Sequence, residues 1–504
     1  MFDLRAMVSW LRKNISSRDV ILMVVLIIAY LLTRIINLDK FPVFTDEGIY
    51  IHWAKIAWHD ATWRFISLTD GRQPLQTWAT IPFLKLFPDN ALFAGRLFAV
   101  TSGLLTLSGL FATAYYLFNK KIAFITSFLY VVTPYFLFHD RMALVDSTVN
   151  AGVIWMFLLS IILARSRRLD YAMILGLVSG ATLLAKSSVK LFFGLTIMSG
   201  LFILLEQKRE RINKLISFGF LYCIAGVIAL IMYNIQRLSP FFHFVAAKNV
   251  TFVLSFHELI KNPFQLIFSN ARFIPYYISS EMAYVIPILG LIGLFMLVSK
   301  RRVEGYYIAL WLFSSCLIIG LVARVLYPRY IMSIGLILLL PAGYLLGRLN
   351  KYKFLAILII IVSSVAYFNY TILFDNRNIP FPQVDRGQYI EEWPAGWGIK
   401  EIVNYARVRS KTKKVTILAE GDFGMSGDTL DVHLTPEDTN IEIKGYWPLN
   451  LNSLQENLKR LDTGYVLLVF PHRKEFPADW PIKKIMSFNK PGGRSTLYLY
   501  ELFK

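Results

Sequence analysis

Apolar residues in this chain come in long unbroken blocks, such as Val20–Leu32 and Phe354–Phe368. That feature leaves few folds open. Crossing the hydrocarbon of a bilayer takes about 20 largely apolar residues in a helix, and a backbone without water must satisfy its own hydrogen bonds. Eleven stretches qualify as spans, at roughly 20–37, 91–118, 122–138, 147–164, 170–185, 189–205, 215–234, 284–299, 305–322, 330–347 and 354–374. Composition agrees: only 17% of residues are charged, against about 25% in soluble domains. The expectation is a polytopic α-helical membrane protein. The first span follows basic residues as a signal peptide would, but no small-residue cleavage site follows it, so it reads as retained. The two cysteines, Cys223 and Cys316, lie inside apolar stretches. They read as small buried hydrophobes, without zinc spacing or a redox partner.

Charge sets the expected orientation. With the N-terminus cytoplasmic, the inner segments are 1–19, 119–121, 165–170, 206–214, 300–304 and 348–353, which hold 19 Lys/Arg against 6 Asp/Glu. The first outer loop, 38–90, holds 5 against 6. This is a positive-inside pattern. It predicts a multi-pass plasma-membrane protein with its C-terminal region outside the cytoplasm. The region 375–504 has 18 basic and 17 acidic residues, so most of the net charge of +20 is topological. A nucleic-acid partner is not expected.

Eleven further basic residues lie within spans or near their outer ends: Arg34, Arg96, Arg141, Lys186, Lys190, Arg237, Lys248, Lys261, Arg272, Arg324 and Arg329. Only Asp140, Asp146, Glu258 and Glu281 share those regions. Ionisable groups at membrane depth are costly and tend to mark a site. An excess of cations there suggests an anionic ligand such as a lipid phosphate; side chains snorkelling to the interface are the plain alternative.

The chain changes character after Phe374. Asp375–Asp385 reads as a polar linker, Trp397–Val408 as an amphipathic helix, and Ser453–Leu461 as another helix. Val415–Glu420, Tyr465–Phe470 and Thr496–Leu502 read as strands. Two domains are expected: a membrane domain over 1–374, with the outer loop 38–90, and an extracytoplasmic α/β domain over 375–504.

Four places stand out as carriers of chemistry. In FPVFTDEGIYIHWAKIAW, Asp46 and Glu47 open a helix suited to the membrane surface. Two acids in a first turn also complement the helix dipole, and neighbours on a helix point about 100° apart, so one of them faces a given substrate atom. In the same loop, DGRQPLQTW sets Asp70, Arg72 and Gln73 before a second surface helix. HDRMALVDS, after the third span, groups Asp140, Arg141 and Asp146. ATLLAKSSVK puts Lys186 in the tight turn after the fifth span, and ARVLYPRYIMS places Arg324, Arg329 and Tyr330 before the tenth. Phosphate recognition favours Arg, whose planar fork engages two oxygens. All four fall on one side of the membrane, where a soluble activated donor is absent. The long aromatic segment 236–283 reads as a flexible cover over this site.

The acidic pair, the R-x-x-x-x-D turn, the lysine turn and the P-R-Y sequence together resemble the GT-C membrane glycosyltransferases over residues 20–350. Within them the chain looks most like the protein O-mannosyltransferase and aminoarabinose transferase relatives, often labelled family 39 or RgtA/B/C/D-like. It departs from their usual K-P-P-L by having Arg72 and Gln73 before Pro74. The resemblance implies a GT-C-like domain that transfers one sugar from a polyprenyl-phosphate carrier to an acceptor outside the cytoplasm, with inversion. Asp46 is then the base or the residue orienting the acceptor, with Glu47 as second candidate and Asp146 beside them. Arg141 helps shape the sugar and acceptor site. Lys186, Arg329, Tyr330 and Arg96 grip the lipid phosphate, with Arg72 nearby. No cofactor is assigned. The family admits a divalent metal, yet no pair among His52, His59, His139, His243 and His257 has ligand spacing by itself. The acceptor (protein, lipid or polysaccharide) and the sugar are not legible. A transporter or flippase, with Gly176 and Gly180 breaking the fifth span, and a glycan polymerase or ligase are the competing readings.

Overall fold

The computed structural model describes residues 16–205, 210–421 and 423–504. The basic residues of 1–15 and 206–209, counted above towards orientation, lie outside the described residues. Helix is found at each of the eleven expected positions. α1 (Ser17–Ile35) leads to two shorter helices, α2 (Thr45–His59) and α3 (Leu75–Leu86), and then to the long α4 (Ala91–Leu117). α5 (Lys120–Val132) ends before Pro134, which cannot donate to the preceding turn and instead opens α6 (Pro134–His139). α7 (Asp146–Ser166), α8 (Leu169–Leu183), α9 (Val189–Leu195) and the short α10 (Leu201–Leu204) precede α11 (Arg211–Asn234). Among the described residues, six helices suffice alone by length and composition to cross a bilayer: Ala91–Leu117, Asp146–Ser166, Arg211–Leu238, Val303–Val322, Pro328–Gly347 and Lys351–Phe374. The protein is a multi-pass membrane protein.

Residues 236–283, read from the sequence as a flexible cover, carry helices of their own. They form α12 (Phe244–Phe252), α13 (Phe256–Lys261) and α14 (Ile267–Glu281). α14 meets α15 (Val285–Ser299) at 113°, because Ala283 and Tyr284 both take positive φ and end the helix. α16 (Val303–Val322), α17 (Met332–Gly347) and α18 (Lys351–Phe374) complete the bundle. Small residues let its helices close up. A Cβ on Gly293 of α15 would meet the Pro341 carbonyl oxygen of α17 at 1.9 Å. Gly176 and Gly180 of α8 serve the same end: a Cβ on either would lie 2.7 Å from α11 atoms. They do not break the helix, which runs on to Leu183.

The connections at one end of the bundle are tied by charge. Lys120 pairs with Asp19 at 2.7 Å, Arg165 and Arg302 approach Glu304 at 3.6 and 3.2 Å, and Lys121 donates to the Gly347 carbonyl at 2.9 Å. The other end carries α2, α3 and the C-terminal domain. That domain begins with α19 (Gln383–Arg386), a π-helical turn, and α20 (Ile399–Ser410), and continues through β1 (Lys414–Glu420), α21 (Gly427–Asp431), β2 (Ile441–Tyr446), α22 (Leu451–Asn457), β3 (Gly464–Phe470), β4 (Ile482–Asn489) and β5 (Thr496–Leu502). The sheet order is β2-β1-β3-β5-β4, parallel around β1 and antiparallel around β5. β2 and β4 escaped the sequence reading because their polar residues blunt the apolar pattern. The sheet is not a detached module. Ile402, Val403 and Val415 share one apolar cluster with Val43, Ile51, Ala54 and Leu84, and the Thr45 N–H donates to the Pro394 carbonyl at 3.1 Å.

Candidate functional site

Asp46 stands in the first turn of α2, and its two oxygens are taken by two arginines from distant segments. Arg72 donates to Oδ1 at 3.0 Å and Arg329 to Oδ2 at 2.8 Å. Burial alone would raise this carboxyl, but the two guanidinium groups hold it well below the usual carboxylate range. Arg72 is aimed by Asp70 at 2.9 Å, which Lys248 of α12 grips in turn at 2.8 and 3.0 Å. The turn between them needs Gly71, which has φ +66° and where a Cβ would meet the Phe244 carbonyl oxygen at 2.4 Å. Arg329 runs over the rings of Phe44, Tyr327 and Tyr330, 5.2–5.8 Å from their centres.

The second half of the site is the turn after α8. Lys186 donates to Oδ1 of Asp146 at 2.7 Å and lies 4.1 Å from the centre of the Tyr330 ring. Burial pulls its ammonium below the ordinary lysine value, while Asp146 opposes that pull. The turn is fastened to the loop before α3. The Gln73 amide donates to the Ser187 hydroxyl, and the Leu75 N–H to the Leu184 carbonyl at 2.9 Å. The structure therefore brings Asp46, Arg72, Asp146, Lys186, Arg329 and Tyr330 into one place. Three cations face two carboxylates, and each acid occupies a position that an anionic ligand would compete for.

Three expected members are elsewhere. Glu47 is fully buried, and both its oxygens are saturated. Arg96 donates to them at 2.8 and 2.7 Å, and the N–H groups of Ala143 and Phe44 add 2.7 and 3.0 Å. Arg96 also holds the carbonyls of Leu38, Phe41 and Pro42. The pair pins the loop before α2 to α4 and leaves no donor or acceptor for a substrate. Arg141 is used in the same way: it donates to the carbonyls of Thr33, Arg34, Ile36 and Asn37 and closes the C-terminus of α1. Nor do Asp140, Arg141 and Asp146 form a local group. Asp140 lies 3.5 Å from Arg34 and accepts from Tyr130 and Ser147 at 2.9 Å.

The histidines separate cleanly. His59, His243 and His257 are exposed. His52 of α2 lies 2.8 Å from Asp431 and 3.6 Å from Asp428, both on α21. His139, at the end of α6, joins Glu281 at the end of α14 and Asp385 in α19. One ligand atom from each lies within 4.8 Å of the others, and all three residues are buried. Burial pushes the Asp385 carboxyl up to about 7. The sequence reading missed this group, since it treated Asp385 as part of a polar linker; the signal within reach was Glu281, an acid beside a span.

Residues 72–235 match the family model described as dolichyl-phosphate-mannose-protein mannosyltransferase. The match includes Arg72, Asp146 and Lys186. Among solved structures, ArnT from Cupriavidus metallidurans in the apo state superposes with a TM-score of 0.63 at 12% identity, covering 98% of each chain. The fold is that of the GT-C membrane glycosyltransferases. The same ArnT bound to undecaprenyl phosphate gives a TM-score of 0.62 at 14% identity, covering 95% of this chain and 97% of that one. The archaeal oligosaccharyltransferase AglB from Archaeoglobus fulgidus, in complex with an inhibitory peptide and a dolichol-phosphate, gives 0.51 at 12% identity, covering 91% and 70%. Its lower score and coverage set this chain nearer the ArnT form of the GT-C fold. No curated protein sequence matches significantly.

Proposed function

We propose that this protein is a glycosyltransferase that moves a single sugar from a polyprenyl-phosphate carrier to a hydroxyl acceptor on the extracytoplasmic side of the plasma membrane. The observation that carries this reading is the meeting of Arg72, Lys186 and Arg329 with Asp46 and Asp146 at the end of the bundle covered by the sheet domain. The leaving group is a phosphate already anionic, so it calls for electrostatic stabilisation more than for protonation. Lys186, Arg329 and Arg72 supply that charge, and Tyr330 backs two of them. The acceptor oxygen bonds to the anomeric carbon as the bond from that carbon to the phosphate oxygen breaks, which inverts the configuration. The acceptor proton passes to a carboxylate.

Asp46 is assigned as that base. Clamped by two arginines it is a weak one, and the clamp has a use. When the lipid phosphate draws Arg329 and Arg72 towards itself, Asp46 loses its counter-charges and its proton affinity rises. The base is thus armed by donor binding. Asp146, released from Lys186 by the same exchange, orients sugar or acceptor. The proposed orientation is supported by the basic connections at the opposite end, which favour a cytoplasmic N-terminus and an external sheet domain. The undecaprenyl phosphate of the ArnT complex and the dolichol-phosphate of the AglB complex support a polyprenyl-phosphate carrier. Protein, lipid and polysaccharide all offer a suitable acceptor hydroxyl.

Purified protein in lipid nanodiscs, supplied with a panel of radiolabelled polyprenyl-phosphate sugars, tests this reading. Wild type transfers label to an added acceptor or releases it. Asp46→Asn binds the donor and fails to turn it over. Equal turnover by Asp46→Asn removes the base assignment, and no reaction with any donor removes the transferase reading.

A further inference from the structure

We propose that His139, Glu281 and Asp385 form a binding site for one divalent transition-metal ion of the zinc or manganese class, under the candidate site. Three segments far apart in sequence converge here: the end of α6, the end of α14 and the start of α19. Their ligand atoms lie within 4.8 Å of one another. An ion at about 2.1 Å from each ligand needs them about 3.4 Å apart in tetrahedral geometry, a closure within reach of small side-chain rotations.

A second observation is independent of that convergence. Both ring nitrogens of His139, both carboxylate oxygens of Glu281 and Oδ2 of Asp385 are buried without a hydrogen-bond partner. The three residues are 1%, 0% and 0% exposed. Buried polar groups are as a rule satisfied, and orphaned ones cost about 1–3 kcal/mol each, more when charged. One atom from each of the three residues lies within 4.8 Å of the other two, an arrangement that a shared cation satisfies. The remaining contact is weak: the Gln388 amide approaches the other Asp385 oxygen at 3.4 Å. The nearby cation, Arg329, is already engaged by Asp46 at 2.8 Å, and Lys186 by Asp146.

The donor set selects the ion. One imidazole nitrogen with two carboxylate oxygens suits Zn2+ or Mn2+, whereas calcium and magnesium favour all-oxygen shells and copper(I) favours sulfur. Three protein ligands leave a coordination position open. The charge of the ion would balance the two carboxylates and tie the chain after α18 to α6 and α14. A proton shared between Glu281 and Asp385 is the competing account. It would leave both His139 nitrogens orphaned, and it predicts no metal. The inference rests on this geometry alone and survives if the transferase reading fails.

The full chain in nanodiscs, stripped with a chelator and desalted, is titrated with Zn2+ alone and with Mn2+ alone. Bound metal is counted by mass spectrometry and the melting temperature is followed. Wild type is expected to take up about one equivalent of one of these ions and to melt higher with it. Glu281→Gln and Asp385→Asn should lose both effects while still melting cooperatively, and His59→Ala should keep both. Absence of uptake by wild type, or undiminished uptake by both carboxamide variants, overturns the site. If the variants fail to fold, Co2+-loaded wild type decides. Visible d–d bands that vanish on adding Zn2+ support an inner-sphere nitrogen and oxygen site, and bound Co2+ without such bands contradicts it.

Discussion

A helical step of about 100° separates Asp46 from Glu47. That rotation carries one carboxylate between Arg72 and Arg329, and the other into a buried cage of Arg96 and two backbone N–H groups. Their variants should therefore fail in different ways. Asp46→Asn is expected to keep its melting temperature within a few degrees and to lose turnover by about 10²–10⁴-fold, the usual span for a displaced base. Glu47→Ala leaves the Arg96 charge buried without its counter-charge, held only by carbonyls, so it should cost about 3–5 kcal/mol of stability and show up as low yield and early melting before any kinetic effect. Equal stability of the two would contradict the division. The contrast also marks how far residues were legible. A cation beside a span stands out because it is expensive there. Whether it meets a ligand, as proposed for Lys186 and Arg329, or a row of carbonyls, as Arg141 does, depends on a partner the local sequence does not name.

Elements show a second division. The apolar blocks announced the helices of the bundle, since burial in lipid demands length and little else. The strands β1, β3 and β5 were legible as apolar runs, while β2 and β4, half exposed, were not. Least legible was the path of 236–283, because α12 takes its place from Gly71 and Asp70, far away in sequence. Lys248 of α12 steadies Asp70, which aims Arg72. Lys248→Ala is therefore expected to weaken donor binding several-fold without changing the maximal rate, measured as KM against kcat. α21 meets α2 through His52, whose imidazole titrates above its ordinary value. Burial pulls the value down, but Asp431 and Asp428 outweigh that and Lys55 subtracts little. A raised folded value means the contact contributes most below the ordinary histidine range and is lost as pH rises through the folded value. Protection of the 427–431 amides, taken relative to their intrinsic base-catalysed exchange rate, should fall in wild type as pH rises above the ordinary histidine range, and His52→Gln should show no such pH-linked fall.

At the scale of the molecule, the sheet domain and the bundle share one apolar cluster, and α2 lies between them. The site thus lies where α2 and the loop 66–73 join the bundle, and α2 in turn packs against the sheet domain. Two of its cations, Lys186 and Arg329, stand 143 residues apart in the chain and both come within 5.4 Å of the centre of the Tyr330 ring, a junction that no local pattern encodes. Isothermal titration of nanodisc-embedded protein with a sugar-free polyprenyl phosphate examines that junction without any need to know the sugar or the acceptor. Wild type should bind it, and Lys186→Ala and Arg329→Ala should each weaken binding by about 10-fold or more, the worth of one charge-assisted contact, with folding intact by melting temperature. Unchanged affinity in both variants would mean that these cations serve the protein's own carboxylates and hold no lipid phosphate.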